Sequence, residues 1–139
     1  MDVDVNYVAI IVATIAAMVI GGVWYAPPVF GDTWGKLVSL DEAKAKKVMP
    51  IAMLLMLAGA FLKAFMLAHM IGLSNYFYNH SYFHDSMGTV FAIFIGFILV
   101  HVVTRNVFEQ RPFKLTLIIL GNELVTLTAM GAIIGVMGI

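Results

Sequence analysis

The chain has 139 residues, of which 62% are hydrophobic and 12% charged, with a mean hydropathy of +0.98 and zero formal net charge. A soluble domain is typically about half apolar and about 25% charged. These values exclude an ordinary soluble domain, and neutrality argues against a nucleic-acid partner. The absence of cysteine excludes disulfides and thiolate chemistry and leaves the redox compartment open.

Four apolar runs follow one another, at about residues 5–25, 48–73, 86–104 and 113–136. Each is near the roughly 20 residues a helix needs to cross a hydrocarbon core of about 30 Å. The runs are continuous, without the period-two alternation of barrel strands, so helices are expected. The predicted fold is all-α: an integral membrane four-helix bundle forming a single domain over residues 1–139. Asp2 and Asp4 replace the basic start of a signal peptide, and Trp24-Tyr25 followed by Pro27-Pro28 is a poor cleavage context. The first run is therefore expected to be retained as a span.

Pro27 and Pro28 should end the first helix, since neither can donate a backbone hydrogen bond. Phe30 and Trp34 then suit one face of a short interfacial turn. Ser39 and Glu42 match a capping box, so a new helix is expected there. Asp41 and Glu42 ahead of Lys44, Lys46 and Lys47 also suit a helix dipole. Pro50 predicts a kink or a fresh start for run two. The third loop ends in Pro112, suited to a first helical position.

Seven of the eight Lys/Arg lie between runs one and two or between runs three and four. By the positive-inside rule, loops one and three are cytoplasmic, and both termini and loop two are on the non-cytoplasmic side. Trp24, Tyr25 and Trp34 suit the inner interface; Tyr7, Tyr76, Tyr78 and Tyr82 suit the outer one. Small residues recur every fourth position: Ala9-Ala13-Ala17-Gly21, Ala60-Ala64-Ala68, Gly88-Ala92-Gly96 and Gly131-Gly135. Such stripes let membrane helices approach closely. They predict a compact bundle with a face to spare for another chain.

The eighth basic residue, Lys63, lies inside run two. A lysine at a span centre costs about 2.5–3.5 kcal/mol on insertion scales, and such residues usually face a bundle interior or cavity. Glu123 in run four is the acidic residue at comparable depth, beside Asn122. It lies a little over one turn shallower, a gap a lysine stem can cover. His101 sits nearer the inner end of run three, and Thr116, Glu123 and Thr126 share a helix face. A Lys63–Glu123 pair with Asn122 and His101 nearby suits a proton or ion relay or a polar ligand site. The same pair equally suits a structural role that fixes helix register.

Loop two carries His80, His84 and Asp85, with His69 on the outer half of run two. Two histidines four apart on a helical turn can share a transition metal. Incidental histidines in an aromatic belt are the plainer reading. The methionines of run two, including Met66 and Met70, fall on the Lys63 side, as adaptable packing or as a copper path. No nucleotide loop, nucleophile triad or zinc-protease motif occurs, so no cofactor is expected beyond a transition metal.

Two stretches resemble a known family. Gly21-Gly22-Val23-Trp24-Tyr25-Ala26-Pro27, continuing to Phe30-Gly31 and Trp34, resembles a G-x-x-W-Y-x-P-x-x-F-G-x-x-W signature. Phe108-Glu109-Gln110-Arg111-Pro112-Phe113-Lys114-Leu115, followed by Gly121, resembles an F-E-x-R-P-x-K-L motif entering the last span. Together they look like the small prokaryotic four-span membrane proteins called domain of unknown function 1761. The resemblance implies a four-helix membrane fold and no established activity. Both signatures flank the basic loops, where Trp24 and Trp34 would anchor at headgroups and Arg111 would pair with Glu109 or lipid phosphate. They suit a partner-docking surface or the hairpin chemistry of the fold.

The function expected is that of a non-enzymatic protein of the prokaryotic cytoplasmic (inner) membrane. Its partners would be the lipid bilayer and other chains, as a homo-oligomer or as an accessory subunit of a larger membrane complex. The alternatives are a minimal transporter or channel using Lys63 and Glu123, and a metal-binding membrane protein using His80 and His84.

Overall fold

The computed structural model describes residues 5–138 and contains only helices and turns among them. Six α-helices form: α1 (Tyr7–Trp24), α2 (Asp32–Leu37), α3 (Glu42–Tyr78), α4 (Tyr82–Ile93), α5 (Val100–Phe108) and α6 (Phe113–Met137). A π-helical turn at Pro27–Gly31 leads into α2, and a second at Phe94–Leu99 joins α4 to α5. Four helices are long and apolar enough to cross a membrane: α1, α3, the continuous Tyr82–Phe108 segment, and α6.

Local chemistry sets the helix ends. Asn6 caps α1 by accepting from Ala9 N at 3.1 Å, and its amide donates to Met137 O at 3.3 Å. The two ends of the described chain therefore meet at one end of the bundle. The expected cap of α3 is corrected by two residues. Asp41, not Ser39, accepts from Ala43 N and Lys44 N, both at 3.1 Å. Ser39 instead takes a left-handed conformation (φ 53°) that closes α2. There Leu40 N donates to Gly35 O and Ser39 N to Lys36 O, the double bond of a Schellman motif. Gln110 (φ 53°) ends α5 in the same way, with Arg111 N bonded to Asn106 O. Pro112 follows in extended conformation (ψ 138°), so it precedes α6 and Phe113 is the first helical residue.

Run two is longer than its apolar stretch. α3 passes through Pro50 without a break and spans 37 residues, about 55 Å at 1.5 Å per residue. Its lower half is bare: every residue from Met53 to Gly59 is exposed, and Ala64 is its first buried residue.

The core lies toward the end where Asn6 meets Met137. Ile10 and Ala13 of α1, Leu67 and Ile71 of α3, Val90 of α4, and Leu127, Met130 and Ile134 of α6 fill it. The main contacts run α1 to α3, α3 to α4, α4 to α6 and α6 to α1, which places α3 and α6 across the diagonal. Three of the four small-residue stripes serve this core: Ala9-Ala13-Ala17, Ala64-Ala68 and Gly131-Gly135 are buried. Gly88, Ala92 and Gly96 are exposed. The third span meets α6 through its neighbouring face instead. Ser86 and Val90 lie over Gly131 and Gly135, and the Ser86 hydroxyl donates to Gly131 O. A side chain at Gly131 would run into Val90 Cγ2, so the close approach of α4 and α6 depends on that glycine.

Candidate functional site

Lys63 and Glu123 meet as expected. Lys63 Nζ donates to Glu123 Oε2 at 2.7 Å, with side-chain exposures of 38% and 27%. Four-helix connectivity makes the diagonal helices α3 and α6 parallel, which brings residues of similar depth together. The pair stands where packing thins out. No residue of α3 before Ala64 is buried, and α6 has no buried residue between Ile118 and Thr126. Beside Lys63 opens a groove of about 230 Å³ walled by apolar side chains, including Met66, Met70, Ile93, Phe97, Ile98 and Leu127. The π-helical turn at Phe94–Leu99 supplies part of that wall.

Among the described residues, the other expected members of this cluster make no hydrogen bond to the pair. α5 turns Val102 and Asn106 inward, and His101, one residue off that face, is exposed. Thr116, two turns from Glu123 on α6, is engaged elsewhere, its hydroxyl accepting from Asn106 Nδ2 at 2.9 Å. Asn122 Oδ1 and Thr126 Oγ1 are buried without a hydrogen-bond partner among the described residues.

A second polar cluster forms at the end shared with Asn6 and Met137. Asn79 ends α3 in a left-handed conformation (φ 53°), and Ser81 starts α4 by accepting from His84 N at 3.3 Å. This tight connection places His80 Nδ1 at 3.0 Å and His84 Nδ1 at 3.6 Å from the same oxygen, Asp85 Oδ1. Asn75, which the sequence did not single out, holds the arrangement. Its amide donates to Asp85 Oδ2 at 2.9 Å and to His80 O at 2.8 Å. His69 is not a member: its Nδ1 lies 2.8 Å from Phe65 O and its ring packs on Phe65.

The signature residues build the opposite end. Trp24 Nε1 donates to Ile118 O at 3.1 Å, and its ring lies on Gly121, where an added Cβ would come within 2.8 Å of it. Trp24 is thus a clasp between the first and last spans rather than a headgroup anchor alone. Phe30 packs on Trp24, and Trp34 meets the Tyr25 ring edge-on. Gly31 N donates to Ala26 O at 3.0 Å, and a Cβ on Gly31 would lie 2.9 Å from the Ala26 carbonyl. No side chain fits the turn there. Arg111 pairs with Glu109, the protein partner of the two expected, while Lys114 is exposed. The two signatures therefore meet in space as one hairpin-locking structure.

No curated protein and no solved structure matches this chain. The model of a family described as protein of unknown function (DUF1761) matches residues 8–135. That span takes in both signatures and the Lys63–Glu123 pair, and the chain belongs to the DUF1761 family.

Proposed function

We propose that this is a non-enzymatic protein of a prokaryotic cytoplasmic membrane that acts through assembly, as a homo-oligomer or as an accessory subunit of a larger membrane complex. The basic loops after α1 and α5 would lie on the cytoplasmic side. The observation that carries the reading is the Lys63–Glu123 pair, which is about a third exposed near the middle of two membrane-length helices. Charged groups at that depth are costly against lipid and are normally turned to protein or to a water-filled cavity. The groove beside Lys63 is walled by apolar side chains, which suits a protein cover better than a water path.

The bare turns of α3 from Met53 to Gly59 adjoin the pair and offer the surface for such a cover. A second copy suits it, because a patch holding one positive and one negative group is self-complementary across a two-fold axis. The outward stripe Gly88-Ala92-Gly96 leaves room for close helix approach.

The absence of native cysteine makes the test clean. Single cysteines at Leu54, Leu55 and Leu57 should cross-link copies in native membranes, and mass measurement in nanodiscs should give an oligomer or a stoichiometric complex. Lys63→Met should weaken both. A lone monomer without partners would overturn the proposal. So would an ion flux in proteoliposomes that Lys63→Met abolishes, which would make the pair part of a transport path.

A further inference from the structure

We propose that His80, His84 and Asp85 form a binding site for one divalent first-row transition-metal ion at the end of the bundle where Asn6 meets Met137. Three features carry this beyond the spacing of the histidines.

The donors converge. Both imidazole Nδ1 atoms address one carboxylate oxygen, at 3.0 and 3.6 Å, and one ligand atom from each residue lies within 4.8 Å of the other two. Ligands about 2.0–2.1 Å from a tetrahedral zinc ion stand about 3.3 Å apart, between the two shorter separations. Closing the wider separations needs small side-chain rotations, and both rings are open to them, with side-chain exposures of 53% and 71%.

The carboxylate is fixed. Asp85 is 3% exposed in its side chain, and Asn75 donates to its Oδ2 at 2.9 Å. That hydrogen bond occupies one oxygen and leaves Oδ1 directed at the histidines, the outer-shell support that orients a ligating carboxylate. The same Asn75 amide holds His80 O, so one side chain positions two of the three donor residues.

The donor set is chemically selective. Two imidazoles and one carboxylate suit zinc, cobalt, nickel or copper rather than magnesium or calcium, which prefer all-oxygen sites. Three protein donors leave a coordination position for water or a further ligand.

The test uses full-length, tag-free protein in detergent, stripped with chelator and dialysed, with cobalt(II) as the probe. One cobalt per chain is expected at micromolar concentration, giving visible d–d absorption that zinc abolishes by displacement. His80→Ala and His84→Ala should each weaken binding at least about tenfold, and Asn75→Ala by about tenfold through the outer shell. His69→Ala and His101→Ala should leave it unchanged. Both cluster histidines are exposed, so their variants should fold, and circular dichroism melting confirms it. Absence of saturable binding overturns the proposal, as does binding that survives in the His80→Ala/His84→Ala double variant.

Discussion

The two polar clusters use similar chemistry in different surroundings. Each joins a carboxylate to cationic or potentially cationic nitrogen: Lys63 with Glu123, and His80 and His84 with Asp85. At mid-helix, both partners of the ion pair are partly exposed and an apolar groove opens beside Lys63. At the bundle end, the carboxylate is buried and the nitrogens are open. Exposure therefore means different things in the two places. For Lys63 it marks a surface that lipid serves poorly, whereas for His84 it is ordinary contact with water and leaves the ring adjustable.

Five substitutions would break or sharpen that contrast. Lys63→Met or Glu123→Gln should each destabilise the protein by about 3 kcal/mol, since each strands a charge in apolar surroundings. The Lys63→Met/Glu123→Gln double variant should recover part of the loss. Unfolding in mixed micelles gives the cycle, and strict additivity would contradict direct pairing. Asp85→Ala should cost about 2 kcal/mol, because Asn75 and His80 lose a charged acceptor. The same unfolding assay reads that loss. A cost as large as that of Lys63→Met would mean that the two clusters share one environment. Gln110→Gly provides a reference outside both clusters. Its left-handed backbone should make glycine stabilising by about 1 kcal/mol, seen as a raised melting temperature. His84→Ala should move stability by no more than about 0.5 kcal/mol, as for an exposed side chain. A larger loss would show that the ring is structural rather than available to a ligand.

The sequence exposed the ion pair because two opposite charges stood at matched depth in otherwise apolar runs. It also gave the four spans, whose lengths and charge-poor interiors are set by the apolar phase they suit. Other features depend on which helix faces meet. Nothing in the spacing of Trp24 and Gly121 announces that an indole rests on that glycine. The same is true of Asn106 and Thr116, which find each other across the Schellman turn at Gln110. Ser39 and Gln110 end helices in a conformation usually signalled by glycine, so their motifs carried no flag. Ser39 read as a cap because its side chain qualifies; its backbone was already committed to closing α2. Asn75 read as an ordinary polar residue near a helix end, since its two acceptors come from beyond the turn. The outward turn of Gly88, Ala92 and Gly96 teaches the same point. A small-residue period shows where helices can approach, and the neighbouring Ser86 and Val90 decided where these two do.

The hydrogen bond from Asn6 to Met137 has a consequence for engineering. It puts the beginning and end of the bundle side by side, and an even number of membrane-length helices puts them on the same side of whatever bilayer the chain crosses. Two copies of this 139-residue sequence joined head to tail through a short flexible linker would thus give two bundles of identical orientation, with no extra span needed between them. Such a fusion would fix the stoichiometry at two and allow a substitution to be placed in one half alone.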